Sequence, residues 1–100
     1  MSKILFEIKY DIKPEFRDQY LETIKQLRAH LVNGANKNYL VVENKQKPNN
    51  FTEIYICESE EEYENLEDEA DSITNELTSR IASEYVSGGK TKYSTFYEVE

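Results

Sequence analysis

The chain has no tryptophan, one cysteine, one methionine, one histidine, two prolines and three glycines among its 100 residues. A single cysteine, Cys57, excludes an internal disulfide. With one histidine and one distant cysteine, a transition-metal site has no ligand set, so no metal is expected. No apolar run approaches the ~18 residues of a membrane span. The start, MSKILFEIKYD, lacks the apolar segment of a signal peptide. Twelve Lys and Arg stand against twenty Asp and Glu, a formal net charge of -8. No stretch is strongly basic, and phosphate backbones repel such a surface, so neither DNA nor RNA is an expected partner. These absences point to a soluble, cytoplasmic protein with no membrane or nucleic-acid partner. No Walker loop, GxGxxG, serine elbow or HExxH occurs, and no cofactor is expected.

What is present is a folding pattern for one domain over 1–100. Hydrophobic residues make up 38% of the chain, and eight of its twelve aromatics are Tyr. Tyr brings burial area together with a hydroxyl that needs a partner. Residues 3–12 alternate, with Ile4, Phe6, Ile8, Tyr10 and Ile12 on one face, which predicts a strand. Pro14 stops it and opens a helix at a position where its missing N–H costs nothing. Phe16, Tyr20, Ile24, Leu27 and Leu31 then recur at helical spacing through 14–32, and Asn33-Gly34 should close that helix with a residue tolerant of positive φ. Residues 38–45 and 51–58 read as strands joined by the polar turn at 47–50, an antiparallel hairpin. A second helix is expected from about 59 to 86, with Tyr63, Leu66, Ala70, Ile73, Leu77, Ile81 and Tyr85 as its stripe. Ser87-Gly88-Gly89 should end it before a last strand at 90–100. The order is β-α-β-β-α-β: a ferredoxin-like α+β fold with a four-stranded antiparallel sheet and two helices on one face.

Nine of the fifteen residues from Cys57 to Asp71 are acidic. Ser59 and Glu62 form a capping box, and Glu60, Glu61 and Glu62 sit where the helix dipole is positive. The other acids, Glu67 and Glu69 among them, fall mainly on the solvent face. A calcium loop would need a turn with a central Gly, and none lies between Gly34 and Gly88. The run is therefore the front of a helix, or else a docking surface for a basic partner.

The two helices can cover only one face of the sheet. That face is expected to hold the apolar side of the first strand with Leu40, Val42, Ile54 and Ile56. The opposite face should then carry Tyr39, Val41, Glu43, Phe51, Glu53, Tyr55 and Cys57. This is too apolar for water, and the simplest cover is a second copy packed sheet to sheet. A homodimer is expected, with those seven residues at its interface.

The run from Asn49 to Tyr63, NNFTEIYICESEEEY, resembles the dimeric α+β barrel superfamily, which includes antibiotic-biosynthesis-type monooxygenases. Glu53 and Tyr55 match the Glu and aromatic of its strand, and Ser59 to Tyr63 match its helix start. The resemblance implies a barrel-type homodimer and oxidation of a small aromatic molecule without a cofactor. Haem-degrading relatives use an Asn, a His and a Trp; this chain has no Trp and no His in its second helix.

Two residues are candidates for proton chemistry. His30 has an ordinary pKa in the range of a general base, or is simply a half-exposed helix residue. Glu53 handles a proton, or pairs with Lys9 across an interface. Tyr10, Tyr20, Tyr63 and Tyr85, with His30, either line a ligand pocket between sheet and helices or complete the core. Cys57 has no basic neighbour in sequence to activate it. The alternative to a ligand-binding protein or oxygenase is a non-catalytic homodimeric module whose acidic helix docks a protein partner.

Overall fold

The computed structural model describes residues 2–66, 68 and 70–99. Strand β1 spans Ile4–Ile12, and a 3-10 turn at Pro14–Phe16 leads into helix α1, Arg17–Ala29, which ends in a wide turn at His30–Gly34. Strands β2 (Tyr39–Glu43) and β3 (Asn50–Cys57) form the hairpin. Helices α2 (Glu60–Glu64) and α3 (Ser72–Arg80) follow, with a wide turn at Ile81–Tyr85, and β4 (Val86–Tyr97) completes the sheet in the order β2-β3-β1-β4. All three pairings are antiparallel, so the ferredoxin-like expectation holds.

Pairing register decides which side chains share a face, because residues directly opposite one another point the same way. Phe6 lies opposite Tyr55, Ile8 opposite Glu53, Tyr10 opposite Phe51 and Ile4 opposite Cys57. Across the hairpin, Tyr39 meets Tyr55, Val41 meets Glu53 and Glu43 meets Phe51. The expected faces of the hairpin are therefore reversed. Tyr39, Val41, Glu43, Phe51, Glu53, Tyr55 and Cys57 share the face of Ile4 and Tyr10, the face that the helices cover. FTEIYIC is apolar on both sides, and Glu53 marks a buried carboxyl rather than the wetter face. Lys9 lies opposite Thr52 on the other face and is exposed, so it is not the partner of Glu53. The open face instead carries Leu5, Leu40, Val42, Ile54, Ile56 and Phe96.

The core lies between sheet and helices. Tyr20, Ile24, Leu27 and Leu31 supply its α1 side, Leu77, Ile81 and Tyr85 its α3 side, and Tyr10, Ile12, Tyr39 and Phe51 its floor. Fully burying a residue such as Leu27 contributes about 1.5–3 kcal/mol.

The second helix differs from expectation. It is two helices, each with its own cap: Ser59 Oγ accepts the Glu62 N–H at 3.1 Å, and Asp71 Oδ1 accepts the Thr74 N–H at 2.9 Å. Glu62 returns its carboxylate to the N–H of Glu58 at 2.7 Å, one residue before the expected target. An unbroken helix would stack Glu60, Glu64 and Asp68 at four-residue spacing, where like charges repel, and Asp71 offers a better start. The new phase buries Thr74 and leaves Ile73 half exposed. Glu67 and Glu69 lie outside the described residues.

Two turn expectations also shift. The positive φ after α1 belongs to Asn36 (55°), not to Gly34. Gly88 (68°) and Gly89 (64°) do not end a helix but lie within β4. There the register jumps from Tyr10 opposite Thr91 to Ile12 opposite Val86, and the extra residues bulge out. Such φ values favour glycine over any side chain.

The 44–49 turn is anchored by charge. Arg17 donates to both oxygens of Glu43, at 2.6 and 2.9 Å, and to Asn49 Oδ1 at 2.8 Å. The Arg17 bonds, and one from the Asn49 N–H, hold the Glu43 carboxyl down at about 2. A depressed carboxyl contributes stability that is present above its unfolded value and lost as pH falls towards 2. Thermal denaturation from pH 5 to pH 2 should therefore show a smaller loss of Tm in Arg17→Met than in the native chain. Equal losses would show that the pair carries none of the acid sensitivity.

Candidate functional site

Two features stand out beneath the helices: a buried polar cluster and, beside it, an open cavity. The cluster centres on Glu53, only 3% exposed. Tyr10 donates its hydroxyl to Oε2 at 2.6 Å and Tyr39 donates to Oε1 at 2.7 Å. The Tyr20 hydroxyl lies 2.9 Å from that of Tyr10 and, with Tyr10 donating to Glu53, donates to it. Every strand except β4 contributes, and α1 adds Tyr20. Burial raises the Glu53 carboxyl above its ordinary range, and the two hydroxyl bonds offset only part of that rise. Burial first, and the Glu53 charge second, push Tyr10 and Tyr39 well above the ordinary tyrosine range. An acid here without partners would cost several kcal/mol; two short O–H bonds offset much of that.

The cavity has a volume of about 580 Å³. Phe6 and Ile8 of β1, Tyr55 of β3 and Tyr93 of β4 form its floor, because register places them side by side on the covered face. Its walls come from Leu31, Ala35 and Lys37 after α1, Tyr63 and Glu64 of α2, Leu66, Ala70 and Asp71 between the helices, and Thr74, Asn75 and Thr78 of α3. The break between α2 and α3 is thus part of the cavity wall. The Phe6 ring has Tyr93 stacked at 6.1 Å, Tyr55 tilted at 6.2 Å and Tyr63 edge-on at 6.0 Å. The Tyr63 hydroxyl is fixed by Thr95 Oγ1 at 3.1 Å.

Asp71 joins the cavity to His30. Its Oδ2 lies 2.7 Å from His30 Nε2. The Thr74 N–H bond first, and His30 after it, hold the Asp71 carboxyl at about 2. This carboxylate stays ionised and is a weak base.

Of the pocket candidates read from sequence, Tyr63 lines the cavity, and His30 reaches it only through Asp71. Tyr10 and Tyr20 belong to the Glu53 cluster, and Tyr85 packs in the core against Phe16 at 5.6 Å. Glu53 does not line the cavity; Tyr39 and Tyr55, with ring centroids 4.8 Å apart, stand beside it. Phe6, Tyr55, Tyr93 and Asp71 were missed. The signal that finds the three rings is the pairing of aromatics across three strands, visible only once the hairpin register is known. Cys57 is buried, and burial pushes its thiol up, away from reactivity. Among the described residues, no cluster of three or more His, Cys, Asp or Glu suits a metal ion, and no helix is long and apolar enough to cross a membrane.

Solved structures share this architecture. A conserved protein of Methanosarcina mazei Go1 superposes with a TM-score of 0.80 at 18% identity, over 96% of this chain and 92% of that one. A putative antibiotic biosynthesis monooxygenase of Nitrosomonas europaea matches with a TM-score of 0.77 at 6% identity, over 94% and 88%. The chain has the fold of the antibiotic-biosynthesis monooxygenases. A variant of SnoaB, described as a cofactor-independent oxygenase of Streptomyces nogalater, also matches, with a TM-score of 0.71 at 7% identity, over 94% and 90%. At such identities the likeness is one of fold. No protein-family model matches the chain, and no curated protein matches its sequence.

The cluster makes a stability prediction. Tyr10→Phe leaves one Glu53 oxygen unpaired and Tyr20 without its acceptor, and should destabilise by about 2 kcal/mol or more. Tyr20→Phe removes a neutral bond alone and should cost about 1 kcal/mol. Urea denaturation compares the two; equal losses would contradict Glu53 as the centre of the cluster.

Proposed function

We propose that the protein binds a small aromatic molecule in the cavity between sheet and helices. The observation that carries this reading is the cavity itself: about 580 Å³, floored by three aromatic rings and walled by polar groups of α3. This is the size and chemistry of a small-molecule site. Titration with 1-naphthol, followed by NMR, should give saturable shifts at Ile8, Tyr55 and Tyr93. Thr78→Phe, which fills the cavity from α3, should weaken binding at least fivefold. Shifts that never saturate, or that Thr78→Phe leaves unchanged, would exclude this site.

Oxidation of the bound molecule by dioxygen without a cofactor is the second reading, favoured by the fold shared with SnoaB. The lining supports binding better than proton abstraction, since Asp71 is a weak base and Glu53 is walled off. A substrate that is already electron-rich suits such a site best. Oxygen uptake with 1-naphthol should exceed a protein-free control and fall in Thr78→Phe; no uptake leaves a binding protein.

We also propose a homodimer, joined through the open sheet face rather than the residues first assigned to it. Val42 is 42% and Phe96 50% exposed there, beside Leu5, Leu40, Ile54 and Ile56. Sedimentation at micromolar concentration should give twice the 11.8 kDa chain mass, and Ile54→Lys should return it to one. A native monomer, or an unaltered Ile54→Lys, counts against this surface.

A further inference from the structure

We infer that the cavity selects a positively charged ligand, a quaternary or aromatic ammonium group being the chemistry it fits. This rests on the ligand-binding reading above and narrows its ligand class. The rings around Phe6 stand in different planes: Tyr93 is nearly parallel to it (10°), Tyr55 is tilted (33°) and Tyr63 turned by 70°. Floor and wall thus bring four aromatic rings, in differing orientations, to one cavity. Ring faces carry the negative part of the aromatic quadrupole and attract a cation within about 6 Å of their centroids.

Charge on the lining acts in the same sense. Among the described residues, Glu64 and Asp71 line the cavity and Lys37 is the one basic residue there, so two carboxylates stand against one ammonium. Asp71 is held by the Thr74 N–H and by His30, bonds that fix its orientation at the wall. The net charge of -8 adds a field that draws cations towards the surface and repels anions. A neutral aromatic molecule would use the rings and gain nothing from the carboxylates. An anionic one would meet both acids.

Three probes separate charge from shape: phenyltrimethylammonium, its neutral isostere tert-butylbenzene, and benzoate. Their affinities are measured by NMR titration at low salt. Phenyltrimethylammonium should bind about tenfold or more tightly than tert-butylbenzene, about 1.4 kcal/mol, and benzoate weakest. The doubly neutralised variant, Glu64→Gln with Asp71→Asn, should close that gap while still binding tert-butylbenzene; Asn retains the helix cap, and circular dichroism verifies the fold. Equal affinities for the isosteric pair, or preferred binding of benzoate, would overturn the inference and leave ligand binding intact. No saturable binding of any probe would remove both.

Discussion

A carboxyl group buried between two tyrosine hydroxyls governs how this chain is arranged. Glu53 lies on the central strand β3 and takes one O–H bond from β1, through Tyr10, and one from β2, through Tyr39. The Tyr10 bond exists only if the hairpin presents its Tyr39, Glu53 and Tyr55 side to the helices. A slip of one residue would turn each of these side chains to the open face. It would strip the carboxyl of its Tyr10 donor and leave the space under α1 without its polar centre. Burial of Phe51 against Tyr20, with ring centroids 4.5 Å apart, works in the same direction.

Once that face is set, the cavity follows. Tyr55 is two residues beyond Glu53 and so enters the floor on the same side. β1 brings Phe6 opposite it and β4 brings Tyr93. The walls depend on a second local event, the restart of the helix at Asp71. One residue caps α3, faces the cavity and meets His30 at the end of α1. The density of acids between α2 and α3 is thus tied to the site, since it disfavours a single straight helix lying flat over the sheet.

The order of elements was legible because their periodicities are clear. β1 alternates strictly, α1 carries an apolar residue every three or four positions, and Ser59 with Glu62 announces a helix start. The hairpin faces were not legible, because both sides of FTEIYIC are apolar enough to be buried and a Glu is ordinarily evidence of exposure. Glu53 runs against that rule by virtue of two tyrosines, one 43 residues away and the other 14. The break at Asp71 was hidden for a related reason: the spacing from Tyr63 to Tyr85 suits one helix, and only a capping bond to Thr74 shows where a new one begins. Of the residues at the cavity, Tyr63 was legible from its helical spacing. Tyr55 and Tyr93 needed the three-strand pairing.

Isotope-edited NMR on the native chain addresses the placement of Glu53 directly. Its side-chain methylene protons should show cross-peaks to the ring protons of Tyr10 and to Ile8, and none to Lys9. Cross-peaks to Lys9 in place of Tyr10 would mean that the hairpin faces the other way and that the cavity floor described above does not exist.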